Sequence, residues 1–339
     1  MKKKMNAARI ASASLLSCTL LSGAMAFALS SSPAPVQASE DSDSLKIVAE
    51  IFPAYDWTSE LLSNSNMDAS LTLLLNKGVD LHSYQPTADD IMTIADSDVL
   101  IYVGGETDGW IEDALKEAEN PNRQVVNLME LLGDSLKEEE TVEGMAHERG
   151  EENEDHGEIE YDEHVWLSLR NAEILCNGIT EALKTADPDN AALYDENNAA
   201  YQEKLTALDQ KYLTAVEEAP FDTILFGDRF PFRYLTDDYN LTYYAAFAGC
   251  SAESEASFET IAFLANKINE LSLPGILTIE GQDHRVAETI AANTKTPDMP
   301  VLVMNSMQAT TGADAENGVS YLSIMESNLE ILKQALNPR

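Results

Sequence analysis

Short runs of apolar, β-branched residues alternate along this chain with longer stretches of helical periodicity. Residues 45–52, 70–75, 98–103 and 124–128 read as strands. Between them, helices are predicted from Tyr55, from Thr87 through Ala95, and from Gly109 to Glu119. Thr87 followed by Asp90 forms a capping-box pattern that starts the second of these helices. A second alternation follows, with strands at 221–226, 242–247, 275–280 and 300–304 and helices at 258–269, 284–292 and 321–336. Strands that alternate with helices predict parallel sheets covered by helices on their faces. The fold class is therefore α/β, with two lobes that are similar in architecture without a recognisable internal repeat.

Between the two alternations lies one long helical pattern. From Asp189 to Glu218, Leu193, Tyr201, Leu205, Leu208, Tyr212 and Val216 recur at helical spacing, bounded by Pro188 and Pro220. The stripe predicts a core-facing strut along both lobes, and a rigid strut favours small lobe adjustments over wide hinge closure. The implied organisation is a leader at 1–38, a first lobe at 45–188, the linking helix at 189–218 and a second lobe at 221–339.

The leader has a basic start (Lys2, Lys3, Lys4, Arg9), an apolar run from Ile10 to Leu29 and a small-residue cleavage site at Val36-Gln37-Ala38. These are the marks of an export signal, so the expected location is the periplasm or the outer face of a bacterial cytoplasmic membrane. Leu15-Leu16-Ser17-Cys18 loosely resembles a lipobox, which makes Cys18 a candidate lipid anchor, although simple cleavage agrees better with the apolar residues that follow.

Charge narrows the partners. The formal net charge is −38, and loss of the leader's four positive charges takes it to −42. Such a chain repels nucleic-acid phosphates. From Asp134 to Glu163 the sequence is dominated by Glu and Asp, with His147 and His156 embedded, which predicts a long, mobile, solvated loop. Beyond the leader there are two cysteines, Cys176 and Cys250, too few for a four-cysteine zinc site and not enough to establish a disulfide.

Histidine is scarce, with five in the chain, so two that follow strands stand out. His82 follows the second strand. His164 closes the acidic loop in Asp-Glu-His-Val-Trp, with Trp166 expected to pack beside it. Open parallel sheets bind ligands beyond the carboxyl ends of their strands. Asp228, Glu280 and Asn305 occupy such ends in the second lobe. If the sheets face each other, imidazoles from one lobe meet oxygen ligands from the other. Two imidazoles and a carboxylate suit Zn²⁺, whereas Mn²⁺ prefers more oxygen, so the candidate metal set is His82, His164, Asp228 and Glu280. Coordination requires deprotonated imidazole, so binding should weaken in acid. His284, at a helix start, reads as a surface or capping residue.

The run His82-Ser-Tyr-Gln-Pro-Thr, the stretch Ala95 to Gly104, His164-Val-Trp-Leu-Ser and the segment Tyr321 to Leu329 together resemble the zinc and manganese solute-binding proteins of bacterial ABC importers, the ZnuA/TroA-like cluster A-I family. The resemblance covers nearly all of the chain after the leader. It implies two α/β lobes joined by a rigid backbone helix. It also implies His82 and His164 as metal ligands, with Asp228 at a third position that is His or Glu in other members. The fourth position is open to Glu280, Asn305 or water, and Glu280 could instead pair with Arg229. The implied function is a monomeric receptor that captures Zn²⁺, or alternatively Mn²⁺, and delivers it to a membrane permease driven by a separate ATPase. No phosphate-binding glycine loop of the P-loop type is present. Two rivals belong to other classes. One is a secreted zinc hydrolase, disfavoured by the lack of a His-Glu-x-x-His pattern; the other is a surface adhesin with a structural metal.

Overall fold

The structure is a computed structural model, and it describes residues 44–64, 68–118, 120–145, 160–251, 255–281, 283–296 and 298–337. The expected leader, Cys18, His147 and His156 lie outside the described residues. Two four-stranded sheets form the frame, both wholly parallel. The first has the order β2-β1-β3-β4, with β1 Leu45–Ala49, β2 Ala69–Leu73, β3 Val99–Tyr102 and β4 Gln124–Asn127. The second has the order β6-β5-β7-β8, with β5 Thr223–Phe230, β6 Thr242–Ala248, β7 Ile276–Ile279 and β8 Val301–Met304. The eight predicted strands all form, with shifted ends. β5 runs to Phe230 because its register against β6 shifts between Phe226 and Arg229, a bulge that carries the strand past Asp228.

Local chemistry accounts for the helices of the first lobe. α1 (Phe52–Leu61) has Pro53 in its first turn, where a missing N–H does no harm. α2 (Ala88–Ala95) starts on the predicted reciprocal cap between Thr87 and Asp90. α3 spans Gly109–Glu117. Three short helices were not foreseen: α4 (Leu128–Leu132), α7 (Arg233–Asp238) and α10 (Gly312–Glu316). The last opens on the same kind of cap, with Thr311 and Asp314 exchanging hydrogen bonds. α5 (Leu169–Ala186), α8 (Phe258–Leu271), α9 (Arg285–Ala292) and α11 (Tyr321–Leu336) complete the layers.

The strut is α6, Ala191–Glu217, 27 residues and so about 40 Å long. Its buried face is Tyr194, Tyr201, Leu205, Leu208 and Tyr212. Tyr194 takes the inward position expected of Leu193, since its hydroxyl donates to Asp187 at 2.7 Å. The strut packs on α5, α1 and α11. One apolar core, from Ile47 in β1 through Trp57 and Tyr201 to Leu332, runs through elements of both lobes. The Tyr212 hydroxyl donates to the Met325 carbonyl at 2.6 Å, and the Tyr321 N–H donates to Asp56 at 2.9 Å, so α11 ties back onto both the strut and α1. No helix among the described residues is long and apolar enough to cross a membrane.

The acidic segment differs from the expected solvated loop. Its two arms, 134–145 and 160–163, are held: Glu138 pairs antiparallel with Tyr161, and the Asp162 N–H donates to the Lys137 carbonyl at 2.9 Å. Lys137 pairs with Asp237, Arg233 with Glu140, and Met145 is buried. Sparse apolar side chains and partly exposed long-range ion pairs offset the repulsion among its carboxylates.

Two outcomes follow from this packing. Leu205→Ala, at a fully buried strut position, should cost about 2–5 kcal/mol in urea unfolding; a loss under 1 kcal/mol would show that the strut is not packed as described. Burial, and secondarily the charge of Glu60, push Asp56 from an ordinary 3.8 up to about 6, against the Tyr321 N–H that favours its ionised form. Its folded pKa exceeds its unfolded one. Its contribution to stability is therefore full below the unfolded value and is lost as pH rises through about 6. Asp56→Asn keeps an acceptor for Tyr321 without the charge. It should gain roughly 1–2 kcal/mol at pH 7.5 and less at pH 5, by urea unfolding at both pH values.

Candidate metal centre

The two predicted histidines meet. His82 lies in a single 3₁₀ turn (Leu81–Ser83) after β2, set by Asp80, whose side chain accepts from the His82 N–H at 2.9 Å. His164 precedes another such turn (Val165–Leu167), and its N–H donates to Asp162 at 2.8 Å. The Nε2 atoms of the two rings stand 3.1 Å apart. Trp166 packs beside His164 at 5.3 Å between ring centroids, anchored by its own N–H to the Ser306 carbonyl.

The hydrogen bond on the far side of the His164 ring assigns its tautomer. His164 Nδ1 lies 3.0 Å from the Asp162 carboxylate, which can only accept, so Nδ1 carries the proton. His82 Nδ1 faces the Thr107 hydroxyl at 3.2 Å and the Glu163 carboxylate at 3.6 Å. In the tautomer that turns the His82 Nδ1–H toward these two acceptors as well, two bare Nε2 lone pairs converge. That contact is repulsive until a proton or a metal ion sits between them. Two nitrogens 3.1 Å apart, each about 2.0–2.1 Å from a shared ion, subtend roughly 95–100°, which a tetrahedral ion accepts. Carboxylates that accept from the outer nitrogens of metal-binding imidazoles fix ring orientation and raise ligand basicity.

The electrostatics agree. Burial, then the His164 charge, hold His82 down to about 4. Burial also works against charge on His164, yet Asp162, Asp80 and Glu163 outweigh it and raise this histidine. The two rings are thus pushed in opposite directions, with positive charge favoured on His164. Burial raises Glu163 as well, and its Oε2 lacks a hydrogen-bond partner. Deeper in, Glu50 and Asp108 are fully buried and both raised, chiefly by burial, Asp108 to about 6. The surroundings thus favour positive charge between the rings.

A side chain that follows the second sheet also stands close to the rings, and it is not one of those read from the sequence. Among the described residues, the cluster of metal-capable side chains here is His82, His164 and Cys250, their donor atoms all within 4.8 Å of one another. Cys250 follows β6 and is partly exposed, with its backbone N–H donating to Glu139 of the acidic arm at 3.1 Å. The preceding Gly249 lets this loop approach: a Cβ there would meet the Phe230 carbonyl at 2.8 Å and the His164 ring at 3.1 Å. Cys176 is free and buried in α5.

The other predicted residues are engaged elsewhere, and neither Asp228 nor Glu280 belongs to this donor cluster. Asp228 accepts from the Thr278 hydroxyl at 2.6 Å and from the Arg229 N–H at 2.8 Å, bracing β5 against β7. Glu280 accepts from both the N–H and the hydroxyl of Ser306, at 2.6 and 2.8 Å, joining the ends of β7 and β8. Asn305 caps the Met307 N–H. His284 precedes α9 and touches the Thr278 hydroxyl at 3.3 Å. Arg229 pairs with Asp80 at 2.6 Å instead of Glu280, so the second lobe grips the residue that sets His82. Cys250 could have been found by the rule that selected Asp228, because it stands just beyond the carboxyl end of a predicted strand.

Comparison with known proteins gives the family. Residues 47–335 match the family described as the periplasmic zinc-uptake complex component A, ZnuA. The chain is 31% identical to the zinc-binding lipoprotein AdcA of Streptococcus pneumoniae over 295 residues, 86% of this chain and 55% of that protein. It thus spans about half the length of the AdcA relatives it matches. It is 28% identical to the high-affinity zinc uptake system protein ZnuA of Bacillus subtilis, over 87% of this chain and 88% of that one. Among solved structures, the Zn(II)-bound ZnuA-like domain of S. pneumoniae AdcA superposes with a TM-score of 0.67 at 27% identity, covering 87% of this chain and 99% of that domain. TroA of Treponema pallidum shares the fold, with a TM-score of 0.69 at 21% identity over 87% of this chain and 99% of TroA. With the two-lobe, strut-linked fold and a family match across nearly all the described residues, the chain belongs to the ZnuA family of zinc-uptake components.

Proposed function

We propose that this protein is the extracytoplasmic receptor of an ABC importer. It captures Zn²⁺ between its lobes, with His82 and His164 as nitrogen ligands, and hands it to a membrane permease driven by a separate ATPase. The observation that carries this reading is the convergence of two Nε2 atoms at 3.1 Å while each Nδ1 faces a hydrogen-bond partner. Membership of a zinc-uptake family supports it, as do relatives whose names record zinc binding. Delivery to a permease and a monomeric state follow the family's role. Asp228 and Glu280 enter as structural braces, and a carboxylate or water is free to complete the sphere.

Competition calorimetry on the full chain with Zn²⁺ and Mn²⁺ tests the site. His82→Ala or His164→Ala should lower zinc affinity by more than about 100-fold, and Asp162→Ala, which frees the His164 ring to turn, by about 10–100-fold. Wild-type affinity in either histidine variant would remove that residue from the site. Because one core runs through both lobes, X-ray scattering should show little compaction on zinc loading. A large decrease in radius of gyration would mean the lobes part further than this packing allows.

A further inference from the structure

We infer that Cys250 binds the transported ion as a thiolate, the third protein ligand beside His82 and His164, and that sulfur at this position makes the receptor select zinc over manganese. The inference rests on the reading of the two histidines as a metal site. Three observations carry it. The Cys250 sulfur and the two imidazoles fall in one cluster with donor atoms within 4.8 Å. The Gly249–Cys250 loop is pressed against the His164 ring, an approach that only glycine permits at position 249. The second-lobe carboxylates that could have served instead, Asp228 and Glu280, already accept hydrogen bonds from neighbours in their own lobe, Asp228 from Thr278, Arg229 and Ile279 and Glu280 from Ser306.

The chemistry favours a borderline-soft ion. Two neutral imidazoles and one thiolate form a nitrogen and sulfur set, typical of tetrahedral zinc, that leaves one position for water or a mobile carboxylate. Mn²⁺ prefers oxygen donors and a larger coordination number, and gains little from sulfur. On binding, the Cys250 S–H bond breaks, the sulfur lone pair forms the bond to the metal and the proton passes to solvent. Nothing is oxidised or reduced. Partial exposure of Cys250 gives both ion and proton a route to solvent. Its backbone is pinned by Glu139, so the acidic arm helps position the sulfur.

Co²⁺ is the probe, because it reports its ligands spectroscopically and takes zinc sites. The wild-type full chain titrated with Co²⁺ should develop visible d–d bands of tetrahedral intensity together with a near-ultraviolet thiolate-to-cobalt charge-transfer band, and Zn²⁺ should abolish both. Cys250→Ser should lose the charge-transfer band and bind Zn²⁺ at least about 100-fold more weakly. Cys250→Asp should narrow the preference for Zn²⁺ over Mn²⁺ by about 10-fold or more. Zn²⁺ should also protect the wild-type thiol from iodoacetamide. Tetrahedral d–d bands in the wild type without a thiolate band would overturn the inference and leave the histidine site standing. Failure to bind either Co²⁺ or Zn²⁺ would overturn both. The wild-type spectrum decides the matter even if a variant does not fold.

Discussion

Two imidazole nitrogens facing each other at 3.1 Å are the constraint around which the rest of this molecule is arranged. Left without a cation or proton between them, their lone pairs repel. They are held there all the same, because each ring is fixed from behind. Asp162 holds His164 twice, through its backbone N–H and through Nδ1. Asp80 sets the turn that carries His82, and Arg229 of the opposite lobe holds Asp80. Contact between the rings is thus a property of the assembled lobes, held ready for a positive charge.

Buried acids complete the logic. Asp162, Glu163, Glu50 and Asp108 are almost wholly removed from water near these rings or just behind them. A fold does not ordinarily gather so many carboxyls without compensating charge, because desolvation favours their protonated forms. A divalent ion between the imidazoles would supply part of that compensation. The acids are used differently: Asp162 bonds the outer nitrogen of the His164 ring, whereas Asp228 and Glu280 brace strand ends. A carboxylate at the carboxyl end of a parallel strand has two competing uses, and in this molecule neighbouring hydroxyls and N–H groups bond both Asp228 and Glu280.

The strut and the C-terminal helix determine how the lobes respond. α6 buries a row of tyrosines and leucines against elements from both sides, and α11 returns from the second lobe to bond with Asp56. A continuous core resists wide opening, since separating the lobes would expose apolar surface at roughly 25 cal/mol per Å².

The pattern of the chain alone determined the eight strands, the strut and the capped helices, because these follow from local periodicity and from backbone groups that must be satisfied within a few residues. Thr87 with Asp90 was legible for that reason, and Thr311 with Asp314 carried the same signal unread. Scarcity and position singled out His82 and His164. Which second-lobe side chain lies beside the rings was not a local matter. Whether Asp228 or Cys250 turns toward the rings depends on a strand bulge at 226–229, on a hydroxyl from β7 that captures Asp228, and on a glycine that lets one loop touch His164. Each of these is a contact between residues far apart in sequence, so only the tertiary structure could decide it. The acidic segment teaches the same lesson: composition marked it as solvated, and a handful of long-range ion pairs and one buried methionine seated its arms.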